Sequence, residues 1–152
     1  MAYHISGLDP AGFADTEALF AGGAVRMIAD SADAFPCRVT LEDAAPGETM
    51  ILLNFVSADV DTPFRASHAI FVREGADRAA HYRDRMPPLI DRRTTSLRAF
   101  DRHGMIRAAA LAAPGEADVG VRTLLADDVI DHVDIHTSAW GCFLARAERS
   151  DD

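Results

Sequence analysis

The chain has 152 residues, 49% of them hydrophobic, two cysteines and a formal net charge of −9. That length makes a single domain over residues 1–152, too apolar to be disordered and large enough to bury a core without a disulfide or metal staple. The acidic balance excludes a protein that holds nucleic acid by displacing counterions from phosphate, and no run approaches the roughly 18 apolar residues of a membrane span.

The opening Met1-Ala2-Tyr3-His4 has none of the charged and apolar regions of a secretory leader. A soluble, cytoplasmic protein is therefore expected, with Cys37 and Cys142 both kept as thiols. All 15 basic residues are arginine. Codon usage in a GC-rich genome is the plainer explanation, set against a dedicated set of anion-binding guanidinium groups. Either way, lysine Schiff-base and lysine nucleophile chemistry are excluded.

In chain order, residues 1–7 read as a short strand ending at a glycine. Asp9 can cap a helix with Pro10 at its first position, running to Phe20 and closed by Gly22-Gly23. Residues 24–29 form a second strand candidate, and residues 37–41, after Pro36, a third. A Pro-Gly turn precedes residues 49–56, TMILLNFV, the most apolar run and thus a central strand. Residues 68–73 give another strand, and residues 77–86 two or three turns of helix stopped by Pro87-Pro88. Residues 96–100 and 105–111 flank a hairpin turn at residues 101–104. A helix over residues 114–127 puts Val119, Leu124 and Leu125 on its apolar side.

The last 21 residues before the tail, 129–149, form a hairpin that holds most of the reactive side chains. A period near two points His132, Asp134 and His136 the same way on the first arm. On the second arm Phe143, Ala145 and Ala147 share one face and Cys142, Leu144 and Arg146 the other, with Gly141 free to take a positive φ at the turn. The sum is an α+β domain: one mostly antiparallel, curled sheet of about eight strands with two or three helices packed on it.

Five stretches carry a family resemblance: YHISGLDP at the start, FPCRVTLEDAAPGE from Phe35, TPFRASHAIFVREGA from Thr62, SLRAFDRHG from Ser96, and GCFLARAER from Gly141. Together they resemble the small bacterial proteins grouped as domain of unknown function 1203. The resemblance implies no activity, cofactor or fold. It also implies relatives with Gly-Pro at Ser67-His68 and often arginine at His136, which gives neither histidine an obligatory catalytic part.

Three constellations have the residue types for chemistry. His132, Asp134 and His136, with Cys142 across the turn, are ligand types for zinc or non-haem iron, against the plain alternative of a solvated polar sheet face. Cys142, with His136 or His68, has the makings of a thiol nucleophile and its base, against buried small-hydrophobe packing, the commoner fate of a cysteine, for both Cys37 and Cys142. Arg38, Arg65 and Arg98 offer guanidinium forks for a carboxylate or phosphate, against internal pairing with some of the 24 acidic residues. Trp140 is turn cover or, if exposed, a contact point. No phosphate-cradling loop, nucleophile elbow, HExxH or CxxC is present, and no cofactor is implied.

Two function classes follow, a domain that binds a small anionic ligand or a protein partner and a metal- or cysteine-dependent enzyme built on the last hairpin. A homodimer formed through a free strand edge belongs to the first class.

Overall fold

The computed structural model describes residues 1–151. Nine strands form two antiparallel sheets, so the single curled sheet expected from the strand pattern is divided in two. The larger sheet is built from β1 (Tyr3–Ser6), β5 (His81–Arg83), β6 (Thr95–Asp101), β7 (Ile106–Ala112), β8 (Ile130–Thr137) and β9 (Phe143–Arg149), in the order β5-β1-β9-β8-β6-β7. The smaller one holds β2 (Val25–Ile28), β3 (Thr49–Ala58) and β4 (Ala66–Arg73), with the apolar β3 in its centre as its composition predicts.

Three helices complete the fold: α1 (Thr16–Ala21), α2 (Pro88–Asp91) and α3 (Ala117–Leu125). The expected first helix is broken. Asp9 caps only a 3-10 turn at Pro10–Phe13, and a second cap, Asp15, which accepts from the Ala18 N–H at 3.1 Å, starts α1 afresh. On α3, Leu125 is buried and Leu124 packs against the core as expected, while Val119 faces water and Ala117 and Val121 complete the buried stripe in its place.

Two elements differ in kind from expectation. Residues 77–86 hold the strand β5 where a helix was expected, because β1 has a free edge there: His4 pairs with Arg83, Ile5 with Tyr82 and Ser6 with His81. A ladder gained by tertiary pairing outweighs the few tenths of a kcal/mol by which ordinary residues differ in helix propensity. Residues 37–41 are a buried turn and not a strand. The Leu41 N–H returns to the Cys37 carbonyl, and Leu41 itself has φ +52. This turn ties the sheets together: Arg38 donates its N–H to the Phe71 carbonyl of β4, while the Arg38 and Val39 carbonyls accept from Leu8 and Ala80 beside β1 and β5. Gly7 lies so close beneath it that a Cβ would sit 1.8 Å from the Val39 oxygen.

The core has two parts. One lies between the large sheet and α2 and α3, with Leu97, Ala99, Val133, Ile135, Ala145 and Ala147 packed towards Val121 and Leu125. The other gathers Phe35, Cys37, Val39 and Ala44 against Met50, Ile51, Ile70 and Val72 of the small sheet. Between the sheets runs the second face of β8, and it is neither apolar nor solvated. His132 is 8% exposed, Asp134 0% and His136 2%.

A bulge sharpens this division. Ile135 pairs with Ala145 but His136 pairs with Phe143, which leaves Leu144 as the extra residue on β9. Leu144 therefore joins the core under α3, and Phe143 turns to the other side to meet Phe55 (ring centroids 5.8 Å apart) and His136 (5.7 Å). The expected alternation along the second arm thus fails at Phe143 and Leu144.

Candidate functional site

The inter-sheet face presents a charge problem, and its solution leaves a cleft. Asp134 sits on β8 opposite Arg146 of β9, and the two form a bidentate pair, Nε to Oδ1 at 2.7 Å and Nη2 to Oδ2 at 3.1 Å. The same Arg146 Nη2 donates to the Ser57 carbonyl at 3.1 Å. Burial pulls the Arg146 pKa down, but the fork to Asp134 more than offsets it and the net direction is up. A fully buried carboxylate is stable only when paired and hydrogen-bonded in this way.

Arg98 has no such relief. It is the cross-strand neighbour of Asp134 on the other side, yet Arg146 already occupies that carboxylate. Among the described residues the only hydrogen bond of its side chain runs from Nε to Ser96 Oγ at 3.4 Å, and it makes no ion pair. Its Nη2 lies beside the hairpin turn, 3.8 Å from where a Cβ on Gly141 would be. Gly141 takes the positive φ of +72 that its position in the turn suggests.

A cavity of about 230 Å³ opens here between the sheets. Arg98, Arg65, Asp134, His136 and Ser57 supply its polar lining, and Phe64, Phe100 and Ile106 its apolar wall. Arg65 stands at the exposed rim, paired with Asp59.

His136 reaches the cavity in a fixed state. Its Nδ1 lies 2.9 Å from the Gly141 carbonyl, which can only accept, so Nδ1 carries the proton. Burial pushes its pKa down to about 4, with the Gly141 bond opposing and the Arg98 and His68 charges adding to the fall. His68 packs edge-on against it, ring centroids 4.9 Å apart, and is lowered too, first by burial and then by Arg98 and Arg38.

The other residues singled out from the sequence are placed as follows. Arg38 is buried and does not line the cavity. Its Nε donates to the Phe143 carbonyl at 2.8 Å and its Nη1 to the Pro36 carbonyl at 2.7 Å, while burial draws its pKa down to about 10. His132 stacks on Phe100 (centroids 5.1 Å apart), with Nδ1 2.8 Å from Asp131 and Nε2 3.8 Å from Asp134. His132 thus lies beside Asp134 while His136 bonds the Gly141 carbonyl, and among the described residues no three His, Cys, Asp or Glu side chains are grouped to hold a metal.

Both cysteines are free. Cys37 is buried, and its Sγ accepts from the N–H groups of Arg73 at 3.2 Å and Thr40 at 3.5 Å. Cys142 is half-buried at the turn, its Sγ 4.0 Å from the Trp140 carbonyl and outside the cavity lining. Trp140 is 88% exposed at the hairpin tip.

Sequence reasoning missed Arg146 and the aromatic wall. The signal for Arg146 was present as an acid and a base on facing arms of one hairpin, but it becomes readable only with the register that the Leu144 bulge sets. Phe64 and Phe100 come from distant segments and carry no local mark.

The family model described as "Protein of unknown function (DUF1203)" matches residues 34–149, and the chain belongs to that family. The comparisons with curated proteins and with solved structures found no match. Among the described residues no helix is long and apolar enough to cross a membrane.

Proposed function

We propose that the cleft between the two sheets binds a small anionic molecule, with Arg98 as the principal contact and Arg65 at the rim. The observation that carries this reading is the state of Arg98, a guanidinium in a cavity with no carboxylate partner although the chain has nine more acidic than basic charges to offer. A guanidinium fork matches a carboxylate or phosphate, and partial desolvation strengthens such a pair. The volume lies below the roughly 300–1,000 Å³ of drug-sized pockets, so the ligand has few heavy atoms. Binding is favoured over metal- or cysteine-dependent catalysis on the last hairpin because Cys37 is occupied by backbone donors and Cys142 stands outside the cavity.

Calorimetric titration with acetate, succinate, malate, phosphate and sulfate tests it. At least one is expected to bind the unmodified protein, with Arg98→Ala weakening that affinity tenfold or more and Arg102→Ala, in the 101–104 turn, leaving it unchanged. Failure of every anion to bind, or equal binding by Arg98→Ala, would refute the reading.

A further inference from the structure

A cation alone asks only for negative charge, but the other polar groups of this cleft ask for something more. His136 has its proton fixed on Nδ1 by the Gly141 carbonyl, so a neutral ring presents a bare lone pair at Nε2. Among the described residues that nitrogen has no hydrogen-bond partner, and it differs from His68 Nε2 and His132 Nε2 in not being sealed from solvent. His136 is 98% buried by residue, so the opening it has is the cavity it lines.

Of the remaining polar lining, Arg65 stands at the exposed rim with its Nη1 on Asp59, and the inner groups add no free donor. Asp134 is an acceptor with both oxygens engaged by Arg146, and the Ser57 hydroxyl is directed at the Ala66 carbonyl at 3.5 Å. Inside the rim, one cationic fork without a carboxylate therefore lines the same cavity as one unfilled acceptor, Arg98 lying beside the Gly141 turn and His136 bonded to it, with Phe64, Phe100 and Ile106 as the apolar lining.

We infer that the cleft selects a small anion carrying its own hydroxyl donor beside the charge, either a 2-hydroxycarboxylate or hydrogen phosphate, with anionic oxygens on Arg98 and the O–H donated to His136 Nε2. This rests on the anion-binding reading above and narrows it. An anion without the donor leaves Nε2 desolvated and unpaired, and sites built to hydrogen-bond a group reject the analogue that lacks it. Sulfate at neutral pH and succinate are such analogues of hydrogen phosphate and malate.

The test compares matched pairs at pH 7.5, malate against succinate and phosphate against sulfate, in the unmodified protein and in His136→Phe. The unmodified protein should prefer the hydroxyl-bearing member of one pair by roughly three- to tenfold, the worth of one net hydrogen bond. Which pair shows the preference separates the carboxylate source from the phosphate source. His136→Phe should bring that pair to parity, because neither the hydrogen bond to Nε2 nor the cost of leaving Nε2 unpaired then remains.

Should His136→Phe fail to fold, the 15N shift of the His136 ring in the unmodified protein gives the same answer. Nε2 should move on adding the preferred anion and hold still on adding its donor-free partner. Equal affinity within both pairs in a protein that binds anions through Arg98 would overturn this inference and leave the broader reading intact. No anion binding at all would overturn both.

Discussion

The two faces of the central strand β8 solve the same burial problem in opposite ways. Towards α3, Val133 and Ile135 are completely buried among apolar side chains and demand only volume. Towards the small sheet, His132, Asp134 and His136 are nearly as buried, yet each carries polar atoms that must find partners. The first face gains stability from removal of apolar surface at about 25 cal/mol per Å². Ion pairs buried at the second roughly break even against hydrophobic replacements of similar size. The polar face thus adds little to folding, and it holds the guanidinium without a carboxylate on which the proposed anion contact rests.

Asp134 gives the sharpest way to break that comparison. Asp134→Ala leaves Arg146 without its carboxylate; losing one partner of a fully buried pair costs about 3–5 kcal/mol, and the lower end applies here because the Arg146 side chain is 35% exposed to water. Replacing both, Asp134→Leu with Arg146→Met, is expected to restore stability to within about 1 kcal/mol of the unmodified protein or above it. Denaturant unfolding of the three proteins decides the matter. If the double variant is as unstable as the single one, the pair is structural in its own right and the contrast between the faces fails. On the apolar face no such rescue exists, because Ile135→Ala removes packing that no second substitution at a neighbouring site replaces.

The histidines give the next largest effect, with a definite sign. In the folded protein the His136 pKa is pushed down to about 4, below its ordinary 6.5, so the unfolded chain binds the proton more readily. Stability is therefore complete above about pH 6.5 and falls as the pH drops towards 4, by on the order of 3 kcal/mol at most if His136 acts alone. His68 is lowered as well and acts in the same direction. Denaturant midpoints measured between pH 7.5 and 4 should fall, and His136→Phe should flatten the curve. A slope unaffected by that substitution would assign the loss to carboxylates elsewhere.

Much of this architecture was legible in the residues themselves. The alternation in residues 130–137, the Gly141 turn and the apolar run that became β3 all identify themselves locally, through period and backbone tolerance. Lost from view was everything decided by a distant partner. Residues 81–83 are a strand only because β1 offers an edge, and residues 37–41 are a turn because they must reach both sheets at once. The site followed the same division. Arg98, Arg65 and His136 stood out by type and neighbourhood, whereas the placement of Arg38 behind the cleft and the pairing of Asp134 with Arg146 depend on the bulge at Leu144. The polar face on β8 was recognisable as polar; that a second sheet would cover it was not.

The smallest effect separates folding from binding most cleanly. Arg65 is 57% exposed on its side chain and its partner Asp59 78%, so their ion pair is screened by water and salt. Arg65→Ala should change stability by less than about 1 kcal/mol. The same arginine lines the rim of the cleft that Arg98 occupies, within the field an entering anion experiences. Its removal should weaken anion affinity severalfold and steepen no unfolding curve, while Asp59→Ala, which frees the guanidinium, should strengthen binding. The contrast with Asp134 is then complete in thermodynamic terms. One charge pair is buried, disruptive to break and neutral to replace whole; the other is exposed, almost silent in folding and measurable only when an anion arrives. If Arg65→Ala and Asp59→Ala both leave anion affinity unchanged, recognition is confined to Arg98 and His136, and the rim pair serves only to hold the loop that carries Phe64.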